Sequence, residues 1–90
     1  MLKAVQCLVN DARSGELKSR YGNHSFEKIN DKWYFRYHDS AVCIVDPVNK
    51  TVTYDHCGYE GFPSTERTIN SYSQIFSSYE EVPKESGDIR

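Results

Sequence analysis

Between positions 32 and 38 the chain reads Lys-Trp-Tyr-Phe-Arg-Tyr-His. Side chains alternate faces along an extended strand, so this run divides into two sets. Trp33, Phe35 and Tyr37 form an all-aromatic set suited to a core. Lys32, Tyr34, Arg36 and His38 interleave rings with cations, the pattern by which an open sheet stacks bases or grips a partner's side chains. A solvated face on which long side chains cover their neighbours shows the same alternation. The Gly-aromatic run that marks an RNA-recognition sheet is missing from the sequence.

Other groups with reactive potential are poorer in pattern. Thr65-Glu66-Arg67 opens an apolar-periodic segment, where helix amide groups and Arg67 could hold an anion. An ordinary Ser64 or Thr65 cap explains the same residues, with Glu66 already supplying the negative charge. His24, His38, His56 and Cys57 include neither Cys-x-x-Cys nor His-x-x-x-His, so no zinc pattern is met. Cys57 as a nucleophile would need a base and an orienting acid, with His38 or His24 and Asp55 as the candidates, and spacing argues for neither. Asp39, Asp46 and Asp55 fall at turns or strand ends, where Asp serves local hydrogen bonding. The expectation is a chain that is no enzyme, with no catalytic residue, no metal and no cofactor.

The elements that must carry these residues follow from periodicity. Leu2, Val5, Leu8, Val9 and Ala12 recur at spacings of three and four, and Gly15 follows as a stop, predicting a helix over about 2–13. Residues 14–23 read as a polar connector. Four short strands come next: 24–29, 32–38, 41–46 and 51–56, joined at Asn30-Asp31, Asp39-Ser40 and the loop 46–50. Gly58, Gly61 and Pro63 make 57–63 a loop. Ile69, Tyr72, Ile75 or Phe76, and Tyr79 stripe a last helix. The predicted fold is α+β: N-terminal helix, four-stranded antiparallel meander, C-terminal helix. The predicted layering is a two-layer sandwich with one sheet face open to water. Residues 1–80 are expected to form a single domain and 81–90 a flexible tail.

Ninety residues leave room for one thin core, and seven Tyr, four Phe and one Trp are the aromatic stock from which to build it. Cys7, Cys43 and Cys57 are odd in number and Met1–Asn10 lacks a leader-like apolar stretch, which points to thiols in a cytoplasmic setting. No apolar run approaches membrane-spanning length. The formal charge of −2 divides into +2 over residues 1–50 and −4 over 51–90, which permits a mildly basic face.

Over residues 21–70 the chain resembles a family of small, mostly uncharacterised proteins carried by bacteriophages and plasmids. The resemblance rests on Tyr21-Gly22-Asn23-His24-Ser25, the Trp33-Tyr34 strand, Gly58-Tyr59 leading to Ser64-Thr65, and Ile69-Asn70. The Gly61-Phe62-Pro63-Ser64-Thr65 segment departs from the family's Ser-x-Thr-Thr-like cap and keeps one Ser-Thr pair. What the resemblance implies is an accessory or counter-defence role akin to that of small anti-CRISPR proteins.

The functional expectation is a host-cytosol inhibitor that contacts a host protein or ribonucleoprotein complex through Tyr34, Arg36, His38, Tyr59 and Arg67. The alternative is a nucleic-acid-binding module on the same aromatic and basic face. A homodimer that covers an open edge or face is compatible with either.

Overall fold

The computed structural model describes residues 2–83. Helix α1 (Lys3–Arg13) leads into β1 (Lys18–Tyr21), β2 (His24–Ile29), β3 (Lys32–Tyr37), β4 (Ser40–Asp46) and β5 (Thr51–Tyr54). Helix α2 (Pro63–Ile75) and the two-residue strand β6 (Glu80–Glu81) follow. The six strands lie side by side in chain order. All neighbouring pairs are antiparallel except β5 and β6, which are parallel. The fold is therefore α+β with a mixed six-stranded sheet, two strands more than the expected four.

Both additional strands have physical reasons for escaping detection. β1 lies within the polar stretch read as a connector; only Ser19 of its four residues is partly covered, so no apolar alternation marks it. A parallel neighbour requires a crossover. For β6 that crossover is α2, which returns the chain beside β5, where the Glu80 amide donates to the Lys50 carbonyl at 3.0 Å and that of Val82 to Val52 at 2.9 Å. Of the segment expected to be a flexible tail, Glu81 ends β6 and residues 84–90 lie outside the described residues.

Three tight two-residue turns build the sheet. Gly22 takes φ +65° between β1 and β2, a value that glycine adopts without a Cβ penalty. Asn30 and Asp31 both take positive φ, as a type I′ turn requires. The next turn uses His38 and Asp39, at φ +52° and +68°, in place of the expected Asp39-Ser40 pair. Ser40 consequently opens β4, and His38 leaves the strand on which it was expected. In the same way β5 ends at Tyr54, so His56 lies in the following loop.

Phe26, Trp33, Phe35, Cys43, Val45 and Val52 all belong to one buried cluster, which they share with Val5, Leu8, Val9 and Ala12 of α1 and Ile69 and Tyr72 of α2. Cross-strand partners share a face, and the register pairs Phe26 with Phe35, Phe35 with Cys43 and Val45 with Val52. The covered face is thus the aromatic face anticipated for β3. The register slips between Phe35 and Arg36, which leaves Val42 as an extra residue of β4, buried beside Cys43.

Helix α1 ends as expected, with Ser14 as C-cap and Gly15 just beyond at φ +101°. Its first turn leans on α2: the Leu2 amide donates to Ser71 Oγ at 3.2 Å. Helix α2 differs from expectation at its start. Phe62 is the N-cap without a side-chain bond and Pro63 occupies the first turn, so neither Ser64 nor Thr65 caps it. Proline's fixed φ and missing N–H suit that position. Thr65 is buried, and the Thr68 hydroxyl donates back to the Ser64 carbonyl at 2.8 Å.

Candidate functional site

Two surfaces gather the residues with binding potential. The first is the open sheet face. Register places Lys18, Ser25, Glu27, Tyr34, Arg36 and Ile44 on it, on the side away from the helices. Tyr34 stands opposite Glu27 on one side and Ile44 on the other. Arg36 Nη1 donates to Glu27 Oε1 at 3.0 Å. Arg20 reaches Asp39 at 3.5 Å with both side chains largely exposed, a pair of little energetic weight.

The second surface lies at the end of the sheet, where a cavity of about 240 Å³ opens between Tyr37, His38, Val42, Tyr59, Phe62 and Thr65. Each wall has a local cause. The bulge turns Val42 inward, the I′ turn brings His38 to the edge, and the loop before α2 supplies the two rings. That loop is built from two successive turns, with the Tyr59 amide bonded to the His56 carbonyl at 2.9 Å and the Phe62 amide to Tyr59 at 3.1 Å. Glu66 ties it to the helix: its Oε2 accepts from the Gly61 amide at 3.4 Å and lies 3.1 Å from His56 Nε2. Cys57 is held from both sides, its amide donating to Asp55 Oδ1 at 2.9 Å and its thiol to the Ala41 carbonyl at 3.3 Å. Tyr59 and Phe62 meet edge to face at 5.7 Å and stay 45% and 56% exposed. Large rings held in place yet open to water are what a binding loop needs.

The five residues expected at one site therefore separate. Tyr34 and Arg36 sit on the open face as anticipated, whereas His38 is absent from it because it is a turn residue. His38 instead joins Tyr59 at the cavity. Arg67 is exposed on α2 and lines neither surface. Phe62 and Val42 were missed. The Gly-x-x-Gly spacing that folds the loop signals Phe62 in part, because Phe62 directly follows Gly61; the bulge at Val42 leaves no mark in residue type. Among the described residues no three His, Cys, Asp or Glu side chains gather as metal ligands, and no helix is long and apolar enough to cross a membrane.

Beside the cavity, His24 stacks on Tyr37 at 4.8 Å, and the Tyr37 ring lies 4.3 Å from that of His38. His24 Nδ1 is buried with no hydrogen-bond partner among the described residues. Burial first, and the neighbouring His38 charge second, lower the His24 pKa below its ordinary 6.5. The unfolded chain then takes up a proton that the folded chain resists, so stability falls as pH drops through and below about 6.5. The urea midpoint is expected to decline between neutral pH and pH of about 5, and His24→Phe should flatten that decline. A variant as pH-sensitive as the parent would place the dependence elsewhere.

Compared with known proteins, the chain matches no family model, no curated protein and no solved structure.

Proposed function

We propose that this chain is a small non-enzymatic binding protein of phage or mobile-element type that inhibits a host defence machine, in the manner of anti-CRISPR proteins, by direct protein contact. The observation that carries the contact reading is the apolar cavity rimmed by exposed Tyr59 and Phe62. A partner's aliphatic or aromatic side chain entering it would be desolvated by Val42 and Tyr37 and ringed by the two loop aromatics, the arrangement in which interface energy concentrates. The turns and the Glu66 tether hold the loop before contact, so little ordering entropy is lost on binding. His38 and Ser64 supply a polar rim. The defence context is what the resemblance of residues 21–70 to phage and plasmid proteins implies, and it is part of the proposal. Inhibition would follow by occlusion, with a host protein or ribonucleoprotein surface blocked by the sheet end.

The test is affinity capture from a nuclease-treated bacterial lysate with the parent chain and with Phe62→Ala, followed by titration of the purified partner. A complex that survives nuclease and is weakened at least tenfold, about 1.4 kcal/mol, by Phe62→Ala is expected. Equal affinity of the two forms would remove the cavity from the interface. Expression in a bacterium with active defence should raise phage plating efficiency, and Phe62→Ala should abolish the rise; no rise with the parent chain would defeat the counter-defence reading.

A further inference from the structure

One cross-strand row of the open face has an unusual composition. Arg20 of β1 stands opposite Ser25 of β2, and Ser25 stands opposite Arg36 of β3. A short hydroxyl side chain between two long guanidinium side chains leaves a notch, and there the surface sinks into a depression of about 420 Å³ lined by Lys18, Arg20, Ser25, Glu27 and Arg36 among others. Ser25 is only 8% exposed although it lies on the open face, so it forms the floor. Glu27 engages Arg36 through one of its guanidinium nitrogens, and among the described residues Arg20 is held only by the long, exposed contact to Asp39. Among the described residues each guanidinium makes one hydrogen bond, through a single nitrogen. The face as a whole sets Lys18, Arg20, Lys32 and Arg36 against Glu27, Asp46 and Glu80, a net +1 on a chain whose total is −2. Tyr34 lies two positions before Arg36 on the same face, about 7 Å along the strand.

We infer that this notch holds a backbone phosphate of single-stranded nucleic acid, with Tyr34 as the platform for an adjoining base. Arginine's planar fork pairs with phosphate through parallel N–H bonds, and two forks flanking a hydroxyl converge on one anion. A carboxylate would satisfy the same donors. The half-buried ring beside the notch selects nucleic acid, because a cationic track next to an aromatic ring is how single strands are bound without sequence readout. This site is separate from the cavity at the sheet end, and neither depends on the other.

Fluorescence anisotropy of a labelled single-stranded oligonucleotide of about 12 nucleotides tests the inference. Binding should weaken with salt, the logarithm of affinity falling by about 0.7 per phosphate neutralised for each unit of log salt. Arg20→Ala, at a largely exposed position, should lower both affinity and that slope, as should Arg36→Ala; a thermal melt of each variant confirms folding. Tyr34→Ala should weaken binding about fivefold or more with the slope unchanged, and Phe62→Ala should bind as the parent does. Failure to bind at low salt, or parent-like binding by both arginine variants, would overturn the inference. Equal competition by a poly-glutamate peptide would overturn it in favour of an acidic protein partner. Loss of binding in Phe62→Ala would move the site to the cavity.

Discussion

Replacing Phe35 with alanine is expected to remove about 3–5 kcal/mol of stability, the cost of deleting a buried aromatic ring together with the cavity it leaves. A 90-residue chain has about 4–13 kcal/mol in all, so the variant should be near its unfolding midpoint without denaturant. Phe35 has 0% exposure and sits where three parts of the chain meet. Its ring lies 5.4 Å from Phe26 of β2, 6.4 Å from Trp33 of its own strand, 4.8 Å from Tyr72 of α2 and 6.1 Å from Phe76 just beyond that helix. Three of these pairs are tilted and the Trp33 pair is edge to face, geometries that add to the area term. The neighbours are fixed by β2, by β3 and by α2 with its C-cap, so none is free to move in and fill the gap. Urea unfolding followed by far-ultraviolet circular dichroism checks this; a midpoint within error of the parent would mean that the sheet and helices are joined elsewhere.

Tyr72→Phe should act in the opposite direction. Tyr72 is also fully buried, and its hydroxyl has no hydrogen-bond partner among the described residues. Burial pushes the phenol well above its usual pKa, so the group stays neutral. A buried hydroxyl without a partner costs about 1–3 kcal/mol, and phenylalanine keeps the ring against Phe35 while removing that oxygen. A gain of about 1 kcal/mol or more is expected, which in a domain of this size raises Tm by roughly 4–8 °C per kcal/mol. Calorimetry decides it. A lower Tm would show that the hydroxyl serves a bond worth more than its desolvation. Phe35 and Tyr72 touch, so the double variant should depart from additivity.

Both residues were recognisable beforehand as core members, because they fall on strongly periodic segments. The parity of Trp33, Phe35 and Tyr37 sets the covered face of β3, and the stripe through Ile69 and Tyr72 sets that of α2. Phe76 and Tyr79 continue this stripe beyond the last helical residue, Ile75. Legibility failed where burial does not dictate residue type. β1 is an edge strand, so its sequence carries turn and charge signals only, and β6 is two glutamates beside a helix end. The position of the β3–β4 turn depended on whether His38 or Ser40 would accept positive φ, which residue preference alone does not decide. That one-residue difference took His38 off the open face and delivered it to the cavity. The arginine row was invisible for a related reason: Arg20 enters it only through β1, the strand that composition conceals.

Chain-order adjacency of the strands has a kinetic consequence. Each antiparallel pairing closes over two to four intervening residues, so the loop entropy surrendered at each step is small. The sheet can grow outward from any hairpin, as a zipper does. Joining the chain's distant parts is the slow element: Leu2 must find Ser71, and β6 must return to β5 after α2 has formed. Low contact order over the first four pairings with a late closure by the helices describes a molecule that folds fast for its β content. Its stability is then completed by contacts that its folding does not need first.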